Sequence, residues 1–183
     1  MKRMENKVTK VITGKVRFSY AHVWKPKSIN GGDEKYSVSL IISKSDTKTI
    51  ANIHAAIEAA KKEGLSKFGG KIPANLKLPL RDGDVDRGDD ENYENCYFIN
   101  ANSTTAPGIV DRYGKAILDS TEVYSGCYGR ASITFYAFNT NGNKGIACGL
   151  QNLQKLADGE PLGGRSRAED DFDTYEDDDD FLG

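Results

Sequence analysis

Between positions 130 and 138 two kinds of side chain alternate. Ala131, Ile133, Phe135 and Ala137 share one parity; Arg130, Ser132, Thr134, Tyr136 and Phe138 share the other. Successive side chains of a strand point to opposite faces. The first set therefore suits a core, and the second gathers two rings, two hydroxyls and a guanidinium on the opposite face. Flat rings interleaved with cations suit unpaired nucleic acid: each base offers a π-face to stack on, and each phosphate needs a positive neighbour. Stacking contributes roughly 1–3 kcal/mol per base, so two or three rings matter. The competing reading is a face that packs under a loop or a second protomer, and parity alone does not separate the two.

Other segments share this character. Trp24-Lys25-Pro26-Lys27 puts the sole tryptophan beside two lysines, and Arg112-Tyr113-Gly114-Lys115 sets a ring between two cations in a turn. Lys15, Arg17 and Lys35 fall on the polar parity of the first two strands, and pairing of those strands would make them one cationic stripe. Lys144, after the turn that follows Phe138, joins the same set. Each lysine alone is as consistent with an ordinary solvated charge; the cluster is what carries the argument.

The charge distribution points the same way. The chain has 25 basic and 27 acidic residues, and nine of the acids lie in 168–183, which holds no base. The body thus carries about +7 and the tail −9. Seven more acids, with Arg87 as the sole base, lie in 82–94, so the rest of the body is more positive still. A cationic body suggests a polyanionic ligand, and an acidic tail suggests a competitor for it.

Catalytic patterns are missing. His22 and His54 have no evident partners, and Cys96, Cys127 and Cys148 lack zinc-site spacing. The run from Asp82 through Asp84 to Asp86 resembles the start of a calcium loop, but Arg87 stands where that loop needs glycine and Tyr93 where it needs glutamate. No cofactor or metal is expected, and no enzyme class has a foothold. An odd, widely spaced cysteine count fits reduced thiols. No apolar run reaches the roughly 18 residues of a membrane span, and no secretory signal follows the basic N-terminus.

The elements that must position these residues follow from periodicity. Segments 11–24 and 35–43 alternate as strands around a turn-rich loop at 25–34. Ile12, Val16, Phe18 and Tyr20 are expected inside on the first, and Tyr36, Val38, Leu40 and Ile42 on the second. A helix is predicted over 46–63, with Lys61 and Lys62 in its last turn and Gly64 ending it. A long irregular stretch covers 64–94. Strands resume at 95–103, 108–112 and 128–139, and 144–156 returns after the Asn141-Gly142-Asn143 turn. The expected fold is mainly β, an OB-fold-like small antiparallel barrel with one inserted α-helix, over a domain 1–164. A flexible, disordered acidic tail fills 165–183. A β-sandwich is the competing architecture.

The tail is punctuated by Phe172, Tyr175, Phe181 and Leu182. Acid with spaced rings imitates phosphate with base, so the tail can occupy the body's own groove or be captured by a partner's basic-rimmed pocket. Its end, Asp177, Asp178, Asp179, Asp180 and Phe181, resembles the acidic, phenylalanine-tipped tails of replication single-stranded DNA-binding proteins. Those tails usually finish on the phenylalanine, whereas Leu182 and Gly183 follow here. The segment 126–163 (GCYGRASITFYAFNTNGNKGIACGLQNLQKLADGEPLG), with FSYAHVWKPK and KYSVSLIISKSD, resembles a bacteriophage single-stranded DNA-binding protein family with an OB fold, once described only as a domain of unknown function. The resemblance covers most of 10–164. It implies non-specific coating of single-stranded DNA during phage replication or recombination, in the cytoplasm of the bacterial host. It also implies that the tail contacts replication or recombination proteins. A homodimer is compatible with it, and no membrane partner is expected. The DNA-contacting candidates are Lys15, Arg17, Trp24, Lys25, Lys27, Lys35, Arg112, Tyr113, Lys115, Arg130, Tyr136, Phe138 and Lys144. Two other readings stand beside it: a phage structural or adaptor protein whose tail binds a protein partner, and a nuclease with Asp82, Asp84 and Asp86 as metal ligands.

Overall fold

The computed structural model describes residues 8–28, 31–162, 172, 174 and 175. The tail residues 177–181 lie outside this set. Among the described residues eight strands form one sheet: β1 (Lys10–Ile12), β2 (Val16–Ser28), β3 (Glu34–Ser43), β4 (Leu80–Asp82), β5 (Cys96–Ser103), β6 (Gly108–Val110), β7 (Tyr128–Thr140) and β8 (Asn143–Ala157). Five of them close a ring. β2 pairs with β3, β3 with β5, β5 with β8, β8 with β7, and β7 with β2 again. All these pairings are antiparallel except β5–β8, which is parallel. This ring is the five-stranded Greek-key barrel of the OB type, and it rules out two separate sheets. β1 extends the barrel beside β7, β6 extends it beside β8, and β4 borders β5.

Alternation fills the ring. Phe18, Leu40, Ile42, Ile99 and Ile133 are fully buried, with Val38, Ala131, Phe135 and Leu153 beside them. The helix α1 (Thr47–Glu63) starts where Asp46 accepts a hydrogen bond from the Thr49 N–H, and ends where the Gly64 N–H donates to the Ala60 carbonyl. Its buried residues Thr49, Ile53, Ala56, Ile57 and Ala60 recur at helical spacing and face the barrel. Among the described residues no helix is long and apolar enough to cross a membrane.

Three expectations are corrected. The first predicted strand is two: a turn at 13–15 separates β1 from β2, so Val11 is buried and Ile12 is exposed. Tyr20 is not inside. Its φ of 47° breaks the alternation, a register shift follows between Ser19 and His22, and the ring is 55% exposed. The 64–94 stretch is not structureless. It holds β4 and a short second helix, α2 (Gly83–Asp86), and lays Tyr93 on Ile41 and Phe98 over the outer face of β3 and β5.

Candidate nucleic-acid interface

One row of residues crosses the outside of the barrel. His22 on β2 lies opposite Ser37 on β3, Ser37 opposite Asn102 on β5, Asn102 opposite Gly149 on β8, and Gly149 opposite Thr134 on β7. Ser39 and Asn100 form the neighbouring pair. A groove of about 540 Å³ opens over the β2–β3–β5 part of this face, lined by Tyr20, His22, Lys27, Ser37, Ser39, Arg87, Asn100 and Asn102 among others. In OB-type barrels the face of the second and third strands and the flanking loops bind oligonucleotides; β3 and β5 are those strands here.

Cations gather at the β2–β3 end of this outer row, and rings stand on β7 beyond its far end. Lys27 and Lys35 are register partners across β2 and β3, and neither makes an ion pair among the described residues. At the β7–β8 end, Tyr136 is 46% exposed. A Cβ on Gly149 would lie 3.5 Å from the Tyr136 ring, and one on Gly145 would lie 2.8 Å from the Phe138 ring. Glycine at these two β8 positions gives the rings their room. Lys144 is half-buried beside them, its carbonyl accepting from the Lys77 N–H.

Arg87 forms the groove's wall. Its guanidinium lies 5.9 Å from the Tyr20 ring centroid, 5.5 Å from Tyr93 and 5.2 Å from Phe98. Its Nε, the Ser39 hydroxyl and the Tyr93 hydroxyl are buried without a hydrogen-bond partner among the described residues. Such groups are rare in a finished interior, and all three border the groove or the cavity beside it. His22 has its pKa lowered, first by partial burial and then by the charge of Lys27.

Other predicted residues lie elsewhere. The expected stripe of Lys15, Arg17 and Lys35 does not form, because antiparallel pairing sets Arg17 opposite Ile41 and Lys35 opposite Lys27. Arg17 donates to the carbonyls of Gly126 and Glu160 (3.0 and 2.7 Å), and with Lys15 it lies over the Tyr128 ring. Trp24 is half-buried against the core and its indole N–H donates to the Val123 carbonyl. Lys25 is exposed on β2. Arg130 donates to the Thr13 carbonyl near β1, roughly 20 Å along β7 from Tyr136 at about 3.3 Å per residue. Opposite Arg130, Gln154 reaches the Arg112 carbonyl. There Asp111 holds the Tyr113 and Lys115 N–H groups, and these bonds, Lys115 first, depress its pKa. Arg112, Tyr113, Lys115 and Arg130 thus form a second cluster outside the groove. The metal-ligand reading of Asp82, Asp84 and Asp86 is corrected: Lys44 bridges Asp82 and Asp84 at 2.9 and 2.7 Å, and Arg81 holds Asp86 at 2.8 Å.

Sequence reasoning misses Tyr20, His22, Arg87, Asn100 and Asn102. The serines of β3 are expected outward, and the same parity across Asn100-Ala101-Asn102 carries a usable signal. For Tyr20 and Arg87 the cause is three-dimensional: a positive φ in one case and a crossing segment in the other.

The family model described as Enterobacter phage Enc34, ssDNA-binding protein, matches residues 9–182. The protein p50 of Acyrthosiphon pisum secondary endosymbiont phage 1 is 30% identical over 173 residues, covering 90% of this chain and 92% of p50. The solved structure of the bacteriophage Enc34 single-stranded DNA-binding protein in complex with ssDNA is similar with a TM-score of 0.74 at 27% identity, over 89% of this chain and 97% of that one. A C-terminal truncation of the Enc34 protein gives a TM-score of 0.73 at 28% identity, over 88% and 95% of the two chains.

Proposed function

The chain belongs to the family of the Enterobacter phage Enc34 single-stranded DNA-binding protein, and on that premise we propose that it is a non-catalytic coat for single-stranded DNA, tolerant of sequence. The observation that carries this reading is the unbroken outer row from His22 to Thr134, with Tyr20 and Tyr136 at its margins and Lys27 and Lys35 at its cationic end. Rings stack on bases of any identity, and Lys27 and Lys35, which make no ion pair among the described residues, can meet phosphates. The relative solved with ssDNA supports the ligand class.

The DNA-binding body comprises 1–164 and the tail 165–183. The tail competes for the groove and recruits replication or recombination proteins in the host cytoplasm. Support comes from where the body hands over to the tail. Leu162 packs with Ile41, Tyr93 and Phe98, and it lines the cavity that shares Tyr20, His22 and Lys27 with the groove. A tail tethered there starts at the groove's edge, and 163–183 can reach roughly 70 Å at about 3.3 Å per residue. Acidic tethered ligands act at effective concentrations on the order of mM.

The test is fluorescence anisotropy with labelled dT and mixed-sequence oligomers at several salt concentrations. Similar affinity for both is expected. With about four phosphates neutralised, the slope of log K against log salt should be about −3. No binding at low salt contradicts the reading.

A further inference from the structure

Four side chains make the floor of the groove: Ser37 and Ser39 on β3, and Asn100 and Asn102 on β5. Register pairs Ser37 with Asn102 and Ser39 with Asn100. All four are neutral, and each can both donate and accept. None of them makes a side-chain hydrogen bond among the described residues. The Ser39 hydroxyl is buried without a partner, on a residue only 2% exposed. Asn92, Asn139, Asn152 and Ser103, outside the groove, each bond to backbone or side chain.

A groove that held DNA by stacking alone would have rings on its floor. Here Tyr20 and Lys27 line the groove, Lys35 is the register partner of Lys27, and the exposed Tyr136 stands on β7 outside the groove's lining. A strand laid across this face with its phosphates toward the lysines turns its bases toward the serines and asparagines.

We propose that Ser37, Asn100 and Asn102, over the buried Ser39, bind the hydrogen-bonding edges of unpaired bases. The inference rests on the DNA-binding reading above and adds what the groove contacts. A serine hydroxyl rotates and an asparagine amide turns over, so each group matches a donor or an acceptor on whichever base arrives. Edge contact then adds affinity without selecting sequence. It also occupies the atoms a base uses to pair, so a bound strand is held away from its complement.

The test compares dT12 with the same oligomer built from N3-methylthymidine, which keeps the ring and blocks the pairing edge, using the full chain at one fixed salt concentration. The blocked oligomer should bind about five- to twenty-five-fold more weakly, the loss of one or two hydrogen bonds at roughly fivefold each. The Asn100→Ala/Asn102→Ala variant should bind dT12 more weakly and lose the difference between the two oligomers, whereas Tyr136→Ala should weaken both and keep it. Equal binding of both oligomers by the unaltered protein overturns the edge contact and leaves the DNA-binding reading standing. Binding of neither overturns both.

Discussion

Asn102 on β5 lies opposite Gly149 on β8, at the parallel pairing that closes the barrel. Because Gly149 has no side chain, the polar floor of β3 and β5 runs without a step to Thr134 and Tyr136 on β7. A Cβ there would stand 3.1 Å from the Thr134 hydroxyl and 3.5 Å from the Tyr136 ring, close but tolerable. A larger side chain would rise between the floor and the ring. Gly149→Leu is therefore expected to keep the circular-dichroism spectrum of the barrel and weaken dT binding by about 1 kcal/mol or more, the contribution of one stacked base. Unchanged affinity would show that the strand does not cross this point.

Tyr20 combines a φ of 47° with a 55% exposed ring. A non-glycine residue in the left-handed region costs about 1–2 kcal/mol, and strain of this kind gathers at functional sites. Tyr20→Gly should relieve the strain, leaving the melting temperature no lower, while affinity for dT falls by roughly 1–3 kcal/mol. A melting temperature that drops with affinity intact would make Tyr20 a structural residue.

His22 supplies a pH signature with opposite signs for binding and folding. Its pKa lies below 6.5 because of burial first and Lys27 second. Lys27, Arg87 and Tyr20 share its groove, and Asp90 lines the adjoining cavity. Incoming phosphates favour the imidazolium, so binding takes up a proton and affinity should rise as pH falls from 8 to 5.5. Folding responds the other way. The unfolded chain holds the proton more readily, so this group's share of stability is lost as pH falls through about 6.5. Titrations with dT at pH 5.5, 7 and 8 should show the rise in the unaltered chain and a flatter response in His22→Gln. An equal rise in both would assign the effect elsewhere.

Removing 168–183 deletes nine carboxylates from the chain. The shortened chain should bind dT more tightly, with the gap largest at low salt, where charge is least screened. Equal or weaker affinity would remove the competing role of the tail and leave partner recruitment as its function.

The barrel is largely legible in the sequence because its strands are long and regular. The parity of 130–138 is reproduced residue by residue: Ala131, Ile133, Phe135 and Ala137 are buried while Arg130 and Tyr136 are exposed. The helix is legible through Asp46, its apolar spacing and Gly64. The groove is less so, for a physical reason. Parity tells which face a residue takes but not where along the barrel it sits. Arg130 and Tyr136 share a face yet stand roughly 20 Å apart along β7 at about 3.3 Å per residue. Trp24 reads as a platform beside two lysines, but its indole is tied to the Val123 carbonyl. Arg87, inside an acidic run, reads as an ordinary loop residue; it reaches the groove because the 80–95 segment folds back over β3 and β5.

The most direct test of the groove is charge reversal at its cationic end. Anisotropy with labelled dT would compare the unaltered chain with Lys27→Glu/Lys35→Glu, and with Lys48→Glu/Lys62→Glu on the exposed face of α1 as the equal-charge control. The groove pair should weaken binding more than tenfold and flatten the salt slope by about 0.7 for each phosphate no longer neutralised, while the helix pair should change it little. Equal weakening in the two variants, or none at Lys27 and Lys35, would contradict the assignment of the DNA to this face.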